Sequence, residues 1–181
     1  KFLEQNQARP FFLYVPHTMP HVPLFVSEKH AGKSKNGLYG DVIAEIDWSV
    51  GQILATLKRL KLDEQTLVIF TSDNGGLATS EGSPTCNAPL SEGKGWMYEG
   101  GTREPLLVRW PGVVREGSEC EVPVTSPDFY PTLLEMAGLN PMPWQHRDGV
   151  SLVPLLRGNT LEREAIYWHY PHYANQGGTP G

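Results

Sequence analysis

One stretch constrains this chain more than any other: Thr66-Leu67-Val68-Ile69-Phe70-Thr71-Ser72-Asp73-Asn74-Gly75-Gly76. Its apolar run, rich in β-branched and aromatic residues, stops abruptly at Ser-Asp-Asn-Gly-Gly. Such a run predicts a buried strand that carries a carboxylate and a carboxamide to its C-terminal tip. Ligands of open α/β sheets sit outside the carboxyl ends of the strands. Asp73 and Asn74 offer oxygen as ligand atom, which suits a hard cation such as Ca²⁺ or Mg²⁺. The two glycines allow a sharp turn and a close backbone approach. Asp-Asn-Gly is also ordinary turn chemistry. From this stretch alone, both readings stand.

A second apolar run, Phe11-Phe12-Leu13-Tyr14-Val15, predicts a central parallel strand buried on both faces. It ends in Pro16-His17-Thr18-Met19-Pro20-His21-Val22-Pro23, which continues neither a strand nor a helix interior. The prolines therefore present His17 and His21 on a stiff loop at a strand tip, and a histidine there is either structural or functional. Residues 24–36 read as a polar, mobile loop. From 38 to 60, apolar residues at spacings of three and four predict a long amphipathic helix covering a sheet face: Val42, Ile43, Ile46, Val50, Ile53, Leu54, Leu57 and Leu60. Asp41 and Glu45 lie early and Lys58 and Arg59 late, which complements the helix dipole. Strand, helix, strand implies a right-handed βαβ crossover with strands 11–15 and 67–71 parallel. That topology puts His21 and Asp73 on one sheet edge.

Residues 75–104 form a loop long enough to expect a functional role. Lys94, between Gly93 and Gly95, is free to reach an anion, or is simply an exposed lysine. Arg103 and Glu104 read either as site residues or as a local ion pair. Residues 106–110 predict a further strand, and 121–124 a short edge strand because of Pro123. Ser126 is expected to cap a helix over 127–137 that ends at Gly138, with Phe129, Leu133, Leu134 and Met136 in the core. A short helical segment follows Gly149, and a strand begins at about 164–170.

Composition excludes several classes. With 181 residues, 39% hydrophobic and a net charge of −5, the chain has a core to bury and no clustered basic footprint for nucleic acid. Lys33 and Lys35, and Lys58, Arg59 and Lys61, read as solvated faces. No apolar run approaches the ~20 residues of a membrane span. Cys86 and Cys120 have no metal-site spacing. The chain starts at Lys1 in mid-phrase and is expected to be a piece of a longer protein.

His21, Asp73, Asn74 and Lys94 thus gather near one edge. A cation and a lysine suit binding of an oxyanion ester, and an imidazole suits protonation of its leaving oxygen. The blocks that carry these residues resemble the formylglycine-dependent sulfatases, the arylsulfatase-like family of the alkaline phosphatase superfamily. They are Phe11-Phe12-Leu13-Tyr14, Pro20-His21-Val22-Pro23, Thr71-Ser72-Asp73-Asn74-Gly75, Gly93-Lys94-Gly95 and Tyr98-Glu99-Gly100-Gly101-Thr102-Arg103-Glu104-Pro105. Pro127-Asp128-Phe129-Tyr130-Pro131-Thr132-Leu133 and Asp148-Gly149-Val150-Ser151-Leu152 are similar to later blocks of that family. The tail Tyr167-Trp168-His169-Tyr170-Pro171-His172-Tyr173 is similar to sulfatases acting on polysaccharides.

The resemblance implies an α/β fold, an alkaline-phosphatase-like layered sandwich with a mostly parallel central sheet, here its C-terminal part. It implies residues 1–160 as the C-terminal part of the catalytic domain and 161–181 as the start of a small subdomain. It implies Asp73 and Asn74 as Ca²⁺ ligands, His21 and Lys94 as catalytic and sulfate-binding residues, and His172 as a further substrate contact. The implied reaction is hydrolysis of a sulfate ester by S–O cleavage, the ester belonging to a sulfated saccharide among other candidates. The implied compartment is periplasmic, secreted or lysosomal, and oligomeric state stays open. The sequence departs from the family in three respects. The formylglycine nucleophile comes from a Cys/Ser-x-Pro/Ala-x-Arg motif, and neither Pro84-Thr85-Cys86-Asn87-Ala88 nor Ser118-Glu119-Cys120-Glu121-Val122 fits it. The early aspartate pair that completes the Ca²⁺ site is missing too, as is an upstream Lys-His pair. The chain alone is therefore expected to be inactive and to bind Ca²⁺ weakly. Rival readings are a phosphoesterase of the same superfamily, and a non-catalytic carbohydrate-binding module built on Trp96, Tyr98, Trp144, Trp168, His169 and Tyr170. For these aromatics core packing is the favoured expectation.

Overall fold

The computed structural model describes residues 1–78, 82, 84–171 and 181. A short helix α1 (Phe2–Asn6) precedes an extended stretch and the long helix α2 (Gly37–Arg59). A 3-10 turn (Asp63–Gln65) then leads into strand β1 (Val68–Thr71). Next come α3 (Glu99–Thr102), β2 (Leu106–Arg109), α4 (Phe129–Met136) and α5 (Val153–Leu156). None of the described helices is long and apolar enough to cross a membrane.

The described sheet is a two-stranded antiparallel ladder in which Val68 pairs with Arg109 and Thr71 with Leu106. This corrects the expected parallel pairing of 11–15 with 67–71. Residues 11–15 are extended without a ladder, with Phe12 69% and Tyr14 76% exposed. An apolar run becomes a strand only when a neighbour takes its N–H and C=O groups, and among the described residues the partner of β1 is β2. The edge strand at 121–124 and the strand at 164–170 are likewise absent. The Pro123 carbonyl accepts from Arg163 Nη2 at 2.7 Å instead, and Tyr170 exchanges backbone hydrogen bonds with Gly181.

Helix α2 forms where its periodicity places it, with Val42 and Leu57 buried, while Ile43, Leu54 and Trp48 stay partly open. Asp41 does more than complement a dipole. It is only 4% exposed and accepts from the backbone N–H groups of Gly32, Lys33 and Ser34 at 2.7, 3.0 and 2.6 Å. These bonds, that from Ser34 foremost, hold the Asp41 carboxyl below its usual range. One turn on, Glu45 accepts from the Ser27 N–H at 2.8 Å, and Lys29 Nζ sits 4.0 Å from the Trp48 ring centre. The loop expected to be mobile is therefore fastened along the first half of α2.

The helix expected over 127–137 begins one residue earlier than its sequence suggests. Thr125, not Ser126, is the cap: it and Asp128 form a capping box around a 3-10 turn (Ser126–Asp128) that runs into α4. Thr125 wins because its backbone is extended and its N–H donates to Asp128 Oδ2 at 2.8 Å. The buried residues of α4 are Pro131 and Thr132, whereas the four residues expected in the core are half-buried. Gly138, at φ +68°, ends the helix. Asp128 is fully buried and receives Arg163 Nη1 at 2.8 and 2.9 Å and the Val150 N–H at 3.0 Å.

Candidate active site

Strand β1 delivers Ser72, Asp73 and Asn74 to its tip, where the Ser72 hydroxyl donates to the Asn74 carbonyl at 2.9 Å. Asn74 Nδ2 donates to the Gly75 carbonyl at 3.2 Å, so the side chain keeps its acceptor Oδ1 for a ligand. Asp73 is exposed and Asn74 half-buried.

Glycines bring the long loop back onto this tip. Gly75 N–H donates to the Gly101 carbonyl at 3.2 Å, and a Cβ on Gly75 would overlap the Gly100 carbonyl. The Gly76 carbonyl accepts from the Lys94 backbone N–H at 3.1 Å and from Asn87 Nδ2 at 2.8 Å. Asn87 also donates to the Glu92 carbonyl at 3.0 Å, closing the loop that carries Lys94. The Lys94 backbone is thus fixed to the chain three residues beyond Asp73.

From there the Lys94 side chain reaches His21. Its Nζ lies 2.9 Å from His21 Nε2, and His21 Nδ1 lies 2.6 Å from the Val22 carbonyl. A carbonyl only accepts, so Nδ1 carries the proton, and Nε2 of the neutral ring accepts from the Lys94 ammonium. The prolines on either side of His21 hold the ring on a loop that extends toward the Lys94 loop. His21 and Lys94 are therefore in direct contact, with Asp73 and Asn74 on the adjoining tip. His172 lies outside the described residues.

Glu104 lies outside the pairing that its neighbour in sequence suggests. It does not pair with Arg103. Instead Arg103 Nη1 binds Glu99 at 3.2 Å, because one turn of α3 sets those two on the same face. Glu104 Oε1 is buried and has no hydrogen-bond partner among the described residues. Burial, and secondarily the charge of Asp73, push its carboxyl up to about 7. The signal in the sequence was indirect: paired glycines on both segments permit the approach, but nothing says which side chain faces inward. Asn87, which ties the loop to Gly76, had no signal at all.

The donor set fits a hard divalent cation in part. Asp73 and the Oδ1 of Asn74 are both hard oxygen donors. Among the described residues, no group of three or more His, Cys, Asp or Glu converges on a metal position. Cys86 and Cys120 are free thiols, both exposed. The aromatics expected in the core are mostly open: Tyr98, Trp144 and Trp168 are more than half exposed. Trp96 is half-buried against Tyr98, their ring centres 6.2 Å apart.

Comparison with known proteins places the chain by family and fold. The Sulfatase family profile matches residues 1–139. The chain is 39% identical over 179 residues to steryl-sulfatase of Rattus norvegicus, covering 96% of this chain and 31% of that protein. It is 40% identical over 172 residues to human arylsulfatase A, covering 95% of this chain and 34% of that protein. The chain thus spans about a third of the length of the curated relatives it matches. Among solved structures, Ps i-CgsB in complex with k-i-k-neocarrahexaose superposes with a TM-score of 0.78 at 34% identity, over 87% of this chain and 36% of the other. The likeness carries the alkaline-phosphatase-like α/β fold, of which this chain holds a part with a small sheet and helices. A family profile across three quarters of the residues, and a matching fold, leave one conclusion: the chain belongs to the sulfatase family.

Proposed function

We propose that this chain supplies the anion-binding and leaving-group side of a sulfate ester hydrolase. The observation that carries the reading is the Lys94–His21 contact, formed beside the Asp-Asn tip of β1 by segments 73 residues apart. A lysine ammonium and an imidazole Nε2 facing the same space suit a tetrahedral anion and the oxygen it leaves behind. With Nδ1 committed to the Val22 carbonyl, Nε2 is the atom left to exchange a proton. Lys94 stands within proton-transfer distance of it. When an anionic ester enters, Lys94 pairs with its equatorial oxygens, and Nε2 is freed to take up and pass on a proton.

Asp73 and Asn74 would hold a Ca²⁺ ion, with the chemistry of a Lewis acid that neutralises charge on the sulfuryl oxygens. A formylglycine in the whole protein would supply the nucleophile, and no residue of this chain stands in its motif. The same division of labour favours sulfate over phosphate, because among the described residues no histidine joins the Asp73–Asn74 pair as a zinc site requires. A saccharide is the substrate class we favour. A structural relative holds an oligosaccharide, and Tyr98 and Trp144 present open rings of the kind that stack on sugars. His172 is proposed as a further substrate contact. We also propose residues 1–160 as part of the catalytic domain and 161–181 as the start of a small subdomain, whose first residues are anchored by Arg163 on Asp128.

The test is turnover of 4-nitrophenyl sulfate and 4-nitrophenyl phosphate by the full-length protein and its Lys94→Ala and His21→Ala variants. Loss of sulfatase activity in both, with the fold intact by circular dichroism, supports the reading. Wild-type rates in both, or a preference for the phosphate ester, overturn it.

A further inference from the structure

Lys94 follows a turn that the backbone alone would not hold. Glu92 lies at φ +61°, in the left-handed region that a side chain enters only at a cost in free energy. Glycine would take that conformation freely, yet the position carries an exposed glutamate. Such strain persists where the surroundings over-determine it, and residues of this kind gather at functional sites. Here the Glu92 carbonyl accepts from Asn87 Nδ2 at 3.0 Å, and the same amide donates to the Gly76 carbonyl at 2.8 Å. Both partners are carbonyls, which only accept, so the orientation of the amide is settled and both of its N–H groups are engaged. The Gly76 carbonyl also takes the Lys94 N–H at 3.1 Å. One side chain thus joins the tip of β1 to the carbonyl two residues before Lys94.

We propose that Asn87 is a positioning residue for Lys94: it holds the left-handed turn at Glu92 from which the lysine reaches His21. This rests on the reading of Lys94 as the anion-binding group of the proposed function, and deepens it by naming what aims that group. With both amide hydrogens on backbone carbonyls, Asn87 has no N–H to offer a sulfate group, so its effect on the reaction passes through Lys94. Without the amide, Glu92 returns to an ordinary backbone conformation, and the Lys94 ammonium is no longer held 2.9 Å from His21 Nε2. The flexible stem of a lysine does not correct such a change, because it fixes no direction of its own.

The experiment is a pair of double-mutant cycles on kcat/KM for 4-nitrophenyl sulfate in the full-length protein. Asn87→Ala is made in the wild-type, Lys94→Ala and Glu92→Gly backgrounds, with thermal melting recorded alongside. In the wild-type background it should lower kcat/KM at least tenfold, the order of loss when a group is displaced by about 1 Å. On top of Lys94→Ala it should bring no further loss, because nothing is left to position once the ammonium is gone. In the Glu92→Gly background the loss should be smaller than in wild type, since glycine holds the turn unaided. A residue that merely supports the fold would lower activity equally in all three backgrounds. Asn87→Asp keeps the size of the side chain but not its N–H donors; it should match the alanine variant, and gives the answer if that one does not fold. Wild-type rates in both Asn87 variants, or equal losses in all three backgrounds, with Lys94→Ala itself impaired, overturn the role of Asn87 and leave the proposed function standing. Wild-type kcat/KM in Lys94→Ala overturns both.

Discussion

Lys94 Nζ and His21 Nε2 lie 2.9 Å apart, although 73 residues separate them in the chain. Two backbone anchors make this contact possible: the Val22 carbonyl behind the imidazole and the Gly76 carbonyl behind the lysine. Neither partner selects its position alone. In the full-length protein, Lys94→Ala should lower kcat/KM for an aryl sulfate by on the order of 10²–10³, the usual loss on removing one charge-stabilising donor. Lys94→Arg should recover part of that loss. Initial rates at saturating and limiting substrate separate the effect on kcat from that on KM.

The stability of the metal-free chain should depend on pH through Glu104. Its carboxyl titrates near 4.5 when unfolded and is pushed up to about 7 when folded. The native state therefore binds the extra proton between those values. The associated stability is fully present below about 4.5 and is lost as pH rises through about 7. The loss should be on the order of 1–2 kcal/mol, allowing for the side chain's partial exposure. Urea unfolding in EDTA between pH 5 and 8 measures it, and Glu104→Gln should flatten the profile.

Asp41 gathers three backbone N–H groups of the loop ahead of α2. Asp41→Ala should strand those donors and lower the urea midpoint of the chain. The carboxyl titrates below its ordinary value of 3.8, so its stabilisation is present above that value and is lost as pH falls through the lowered one. Hydrogen exchange should show residues 32–34 opening in the variant before the body of α2 does.

Asp128 is fully buried, and Arg163 is the cation that meets it, with the two hydrogen bonds at 2.8 and 2.9 Å. Arg163→Met should leave an uncompensated buried carboxylate and destabilise the chain by about 3–5 kcal/mol. Asp128→Asn combined with Arg163→Met should recover part of this in a double-mutant cycle read by denaturant midpoint.

What the sequence disclosed follows from how local each signal is. Helix α2 was legible because its apolar residues repeat over six turns, and β1 and β2 because each is a short, largely apolar run closed by turn-forming residues. Residues 11–15 carry the same kind of run and fail to form a strand, since a ladder needs a neighbour that composition does not specify. The loop at 24–36 looked free because its fasteners, Asp41 and Glu45, sit at positions that a helical wheel assigns to solvent. His21, Asp73, Asn74 and Lys94 were named from their block contexts. Adjacency suggested a pair between Arg103 and Glu104 as one of two readings, whereas the turn of α3 joins residues four apart.

The glycine seam between the β1 tip and the Lys94 loop bears on how this chain tolerates change. Gly75, Gly93, Gly100 and Gly101 each face backbone carbonyls where no side chain fits. In saturation mutagenesis under selection for activity, these codons should score as intolerant as those of the charged residues, although none of the four contributes a reactive atom. Purifying selection would then register, at these positions, the width of a gap.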